Sequence, residues 1–129
     1  HTSDIAQACR AAHTQGVDLG VPQAVSRMTP RGLLEWSFSV SPTGERPMHG
    51  ALPHLIQWAN GSPVVHMPTT AVSLEDVALG APAAALPTLQ ACVRALALPA
   101  VRVSEQATPL CVRLSTPNGL VTLQAATTP

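Results

Sequence analysis

The sequence has no lysine and no tyrosine; its seven basic side chains are all arginine and are balanced by seven acidic ones. Charged residues make up only 11% of the chain, so there is no basic field to draw in nucleic acid or an anionic membrane surface. Aromatic residues are as scarce. Trp36, Phe38 and Trp58 are the whole set, which excludes a base-stacking surface. The cysteines Cys9, Cys92 and Cys111 are odd in number, widely spaced and without a CxxC pair, which argues against a disulfide framework and a zinc knuckle. They read as three buried, reduced thiols of a cytoplasmic protein. No apolar run approaches the roughly 20 residues needed to span a bilayer, and the N-terminus lacks the charged-then-apolar pattern of a signal peptide. A membrane partner is therefore not expected. Also missing are a Ser-His-Asp or Cys-His order, GxGxxG, a Walker loop and HExxH; "SPTG" and "TPNG" are turns rather than phosphate cradles. The chain opens His1-Thr2-Ser3 with no initiator Met, so a processed, truncated or tagged start is expected.

What is present is a globular composition. Apolar residues are 46% of 129, enough for one domain with a core and too few for two independent ones. Abundant Ala and Pro beside the absence of Lys is the bias of a GC-rich bacterial genome. "SDIAQACRAAHTQG" has Ser3 or Asp4 as a helix cap, puts Ile5, Ala8, Cys9 and Ala12 on one face, and closes at Gly16. A loop follows with an irregular strand near Gln23 to Met28 and a turn at "TPRG". "LLEWSFSVS" alternates: Leu34, Trp36, Phe38 and Val40 on one side, Glu35, Ser37 and Ser39 on the other, the signature of a strand. "PTGERP" breaks the chain, and Leu52 to Ala59 reads as the next strand. Past the Pro-rich "NGSPVVHMPTT", "AVSLEDVALGA" reads as a strand with a bulge at Glu75-Asp76. "LPTLQACVRALAL" reads as a helix with Leu89, Cys92, Val93 and Leu96 buried, Pro87 in its first turn and Pro99 beyond its end. Three strands close the chain, the last two forming a hairpin across "PNG".

This order predicts an α+β fold of paired βαβββ modules forming a curved mixed sheet around a cleft. Module one, about residues 3–60, lacks its first strand; module two spans about 70–125, within a single domain 1–129. Two halves that cannot bury their concave faces alone pair and leave a pocket between them. A half-open sheet also leaves an edge that a homodimer would cover.

The Ser-Arg-x-x-Pro-x-Gly-x-x-x-Trp spacing from Ser26 to Trp36, the segment "LPHLIQW", and downstream "AVSLEDVALGAP" and "LSTPNGLVTL" together resemble the glyoxalase-like domain family of the vicinal oxygen chelate superfamily, which includes bleomycin-resistance proteins and dioxygenases. The resemblance runs from about Ile5 to Gln124 and implies the paired modules and a first strand ahead of His1. It also implies a cleft in which a divalent metal, held by His, Gln or Glu, steadies an enolate-like anion. Of the ligand positions that the resemblance implies only Gln57 carries over, another being implied on the missing first strand. "AVSLEDVALG" has no His near its start, the closing-strand position is Leu123, and Gln57 alone cannot replace the water of a divalent ion. No cofactor is expected, with a divalent metal as the less favoured alternative.

The candidate site residues each have two readings. Gln57 is an amide satisfied within the sheet or a ligand-orienting group on the pocket floor. In a regular strand His54 and Trp58 face away from it, which makes Trp58 core against a helix and His54 exposed or hydrogen-bonded. Arg27 is a carboxylate clamp or a structural tie to Glu35. Glu35 is a general base, if a pocket raises its pKa, or a solvated carboxylate. Ser37 lies on the same side, and Arg113 in the second module is a further ligand-binding candidate. His13, His49 and His66 have no metal spacing and read as surface residues. The functional expectation is a cleft for a small anionic or carbonyl-bearing metabolite. In one version lyase- or isomerase-type proton transfer occurs, with Glu35 as base and Arg27 as anion clamp. The alternatives are a non-catalytic binder of the drug-resistance type or an interaction domain.

Overall fold

The computed structural model describes residues 1–41, 43–52 and 54–125. In chain order the elements are α1 (Ile5–His13), β1 (Val21–Thr29), β2 (Gly32–Val40), β3 (Ile56–Trp58), β4 (Ser73–Ala81), α2 (Leu86–Ala95), β5 (Val101–Glu105), β6 (Leu110–Thr116) and β7 (Gly119–Gln124). Short 3-10 turns occupy Pro47–Gly50 and Pro63–His66. The architecture is α+β, with one sheet in the order β1-β2-β3 and a second in the order β5-β4-β6-β7.

The helices start where the caps predict. Asp4 Oδ1 accepts from the Gln7 N–H at 2.8 Å, and α1 buries Ile5 and Ala12. α2 carries Pro in its first turn and buries Leu89, Cys92 and Val93 against Leu79 and Ala81 of β4. Burying each large apolar side chain there contributes roughly 1.5–3 kcal/mol. Val17 and Leu19, after α1, and Ala51 and Leu52 complete this single core. Of the three cysteines only Cys92 is buried; Cys9 and Cys111 are half-buried, which corrects the expectation of three buried thiols, and all three are free.

Sheet two matches the sequence pattern closely. β4 is parallel to β5 and antiparallel to β6, with its register shifting between Leu74 and Asp76, as the slip in alternation predicts. Sheet one departs from expectation in two places. β1 is a full strand rather than an irregular one, and all nine of its residues are in register with β2. β1 therefore adjoins β2 directly, whereas in sheet two β4 lies between β5 and β6. The second departure is "HGALPHLIQWANG", which is a strand only over Ile56–Trp58. Before it, Met48 and His49 take left-handed φ values of 48° and 57° in the Pro47–Gly50 turn, which inserts Ala51 and Leu52 into the core. Pro42, which opens the expected break, and Pro53, inside the expected strand, lie outside the described residues.

The β1–β2 and β6–β7 hairpins share one turn chemistry. In "TPRG", Thr29 Oγ1 donates to the Gly32 carbonyl at 2.8 Å and accepts from the Arg31 N–H at 3.2 Å. In "TPNG", Thr116 Oγ1 does the same with Gly119 and Asn118, at 2.8 and 3.2 Å. Both glycines sit at φ near +109° (109° and 108°), where a side chain is strained. The two halves thus repeat a residue motif as well as an order of elements.

Candidate functional site

The alternation of β2 fixes which groups share a face. Cross-strand register puts Arg27, Leu34, Trp36, Phe38, Ile56 and Trp58 on one side of sheet one, and Ser26, Glu35, Ser37 and Gln57 on the other. The start of α1 meets the polar side. Gln57 Oε1 accepts from the Ile5 N–H at 2.8 Å, giving a partner to one of the backbone donors that a helix start leaves orphaned. Ser39, on that side, is fully buried, and its Oγ accepts from the Leu55 N–H at 2.9 Å. His54 Nδ1 lies 2.9 Å from the Ser39 carbonyl, which can only accept, so Nδ1 carries the proton.

These contacts reverse the expected packing of the strand. Trp58 lies on the face opposite the start of α1 and packs against Trp36, their ring centroids 5.9 Å apart and tilted by 52°. The reason is satisfaction of polar groups: an amide and a hydroxyl can serve the helix start and the neighbouring backbone, and indole rings cannot offer those acceptors. The same geometry separates the candidate residues. Ser37 stands directly across from Gln57, with Glu35 on the same face; Arg27 points to the opposite face and makes no tie to Glu35. Arg113 belongs to β6, in the other sheet, beside Asp76. Arg27, Glu35 and Gln57 therefore do not line one pocket, and the arrangement expected from the sequence is corrected on that point.

What the fold does create is a cavity of about 580 Å³ between the β1–β2 turn and the segment Asn60–His66. Arg27, Thr29 and Arg31 face it from the hairpin; Asn60 and Ser62 face it from the segment, and Leu33, Leu34 and Val65 supply apolar wall. Its lining contains no acidic side chain. Arg31 Nη1 donates to the His66 carbonyl at 3.3 Å, bridging the two walls. Glu35 stands behind the wall, its Oε2 accepting from Asn60 Nδ2 at 2.9 Å. Of these groups the sequence pointed to Arg27 and Glu35. Asn60, Ser62 and His66 sit in what reads as a Pro-rich connection. The signal missed there was Ser62-Pro63, a cap and first-turn pair: Ser62 Oγ accepts from the Val64 N–H and starts the 3-10 turn that forms the wall.

Elsewhere the pronounced electrostatic feature is Asp76, which takes a bidentate hydrogen bond from Arg102. That bond, with the charges of Arg102 and Arg113, holds the Asp76 carboxyl below its ordinary range; the same bond and the Asp76 charge raise Arg102. Burial pushes the Cys9 and Cys92 thiols up, with Asp18 adding to the effect at Cys9.

The donor set does not fit a divalent ion held through Gln57, because its oxygen is already committed to the start of α1. Among the described residues no three His, Cys, Asp or Glu side chains converge as a ligand group. No helix among them is long and apolar enough to cross a membrane.

Two small sheets flanked by helices, with a cavity at a hairpin tip, make an α+β domain consistent with the vicinal oxygen chelate superfamily. The chain belongs to the glyoxalase-like domain family, whose family model matches residues 1–95. The matched span takes in the Ser26–Trp36 motif, the Ile56–Trp58 strand and α2; β5, β6 and β7 lie beyond it. The chain has no significant match among curated proteins or among solved structures.

Proposed function

We propose that this glyoxalase-like domain binds a small anionic or carbonyl-bearing metabolite in the cavity between the "TPRG" turn and Asn60–His66, with Arg27 and Arg31 as the anion clamp. The observation that carries the reading is the charge of the lining: two guanidinium groups, no carboxylate, and a volume of about 580 Å³. Pockets for small ligands fall at roughly 300–1,000 Å³ and combine apolar wall with a few convergent polar groups. Guanidinium grips a carboxylate through paired N–H donors, Asn60 and Ser62 add donors for a carbonyl or hydroxyl oxygen, and Leu33, Leu34 and Val65 take an apolar body.

Binding without proton transfer is the favoured form. Glu35, the one carboxylate near the cavity, is held by Asn60 on the far side of the sheet from Arg27, where it orients an amide rather than meets a substrate proton. No metal enters the reading. The test is calorimetric titration with phenylpyruvate, which joins a carboxylate and a carbonyl to an apolar ring. Arg27→Ala and Arg31→Ala should each weaken binding by about tenfold or more, the usual worth of a hydrogen bond to a charged group. Glu35→Gln should leave affinity within about twofold, since an amide can still accept from Asn60. Unchanged affinity in both arginine variants would remove the site.

A further inference from the structure

We propose that the domain carries a second, separate site: a wholly apolar pocket on the helix side of sheet two that takes one small uncharged hydrocarbon group, a single aromatic ring with a short alkyl arm. The pocket measures about 240 Å³. Val77 and Leu79 of β4, Val101 of β5 and Leu110 of β6 form its floor. Leu98, beyond the end of α2, and the backbone around Gly50 and Ala51 close it over. Ala51 and Leu79 belong to the core, while the other five lining residues are half-buried, so the pocket runs from the core to the surface.

The chemistry of the lining selects the occupant. Every side chain there consists of carbon and hydrogen alone. A resident water needs two to four polar partners and would find none among these side chains, and a charged ligand would lose its hydration without return. A void of this size otherwise forfeits the contacts that packed interiors hold. Cavities of about 150 Å³ with such walls accept benzene, so this one has room for a ring and a little more. Its roof is built by a strained segment. Met48 and His49 hold left-handed φ values of 48° and 57°, unusual for non-glycine residues, and set the two smallest lining residues, Gly50 and Ala51, over the hole. Backbone strain that keeps a pocket open, where one larger side chain at position 51 would fill it, is the pattern of a binding site rather than a packing fault.

The site is independent of the anion cavity, which shares none of its residues. The experiment is titration of the full chain with ethylbenzene, followed through methyl resonances in NMR. Saturable shifts should concentrate at Val77, Leu79, Leu98, Val101 and Leu110, and saturating phenylpyruvate should not displace the ligand. Val77→Phe places a ring in the space and should weaken ethylbenzene binding at least tenfold; Leu98→Phe serves if that variant does not fold. No saturable shift up to the solubility limit would overturn the proposal, as would binding that survives both plugging substitutions. So would a concentration-dependent dimer, seen by sedimentation, that excludes ethylbenzene, since the pocket would then belong to a second copy.

Discussion

The two sheets are held in different ways. Sheet two shares the core: Leu79 and Ala81 lie under Leu89, Cys92 and Val93 of α2, all at most 7% exposed. Sheet one contributes no buried apolar side chain from its strands, and its one fully buried residue is polar, Ser39. It is fixed instead by a nine-pair hairpin ladder and by directed bonds from Gln57 and Ser39. Apolar burial is cooperative and non-directional, whereas single hydrogen bonds contribute about 1 kcal/mol net and set orientation. The contrast fits a binding role for the cavity at the tip of sheet one, the role proposed above, since ligand-binding segments are drawn from the less stable end of a structure.

Four substitutions would break or sharpen that contrast. The largest effect belongs to Gly20→Ala, at the joint between the core and β1. At φ +83° an added Cβ would lie 2.0 Å from the Val40 carbonyl oxygen, so stability should fall by about 4 kcal/mol or more, read from urea unfolding. Leu89→Ala, fully buried on the sheet-two side, should cost about 3 kcal/mol by the same measurement. Ser39→Ala removes the acceptor of the half-buried Leu55 N–H and should cost about 1–2 kcal/mol, with faster amide exchange in sheet one and none added in sheet two. Smallest is the acid effect of Asp76. Its folded pKa is depressed by Arg102, so its contribution is complete above the ordinary carboxylate value of about 3.9 and is lost as pH falls through the lower folded value. Asp76→Asn should flatten stability against pH below about 4, its loss, small for an ion pair with an exposed arginine, being present at neutral pH and vanishing in acid.

Sheet two was legible because its local signals agree. The slip at Glu75-Asp76 marked the β4 bulge, and Pro87 and Pro99 bounded α2. Family membership was legible from the Ser26–Trp36 spacing, which lies within the matched residues. The alternation of β2 was also plain, but alternation gives two faces and not their assignment. Which face the helix start takes depends on where Ile5 finds an acceptor, and Gln57 lies 52 residues away. The strand predicted over Leu52–Ala59 holds only at Ile56–Trp58 for a related reason, since Ala51 and Leu52 enter the core through a turn rather than an extended segment. The paired "TPRG" and "TPNG" turns were in plain view, and only their identical hydrogen bonds make them a repeat.

Amide hydrogen exchange with and without saturating phenylpyruvate tests the central claim most directly. Exchange should slow only at residues 27–34 and 60–66, the walls of the proposed anion cavity, with sheet two unchanged. Protection centred on β4 to β7, or none anywhere while calorimetry reports binding, would contradict it.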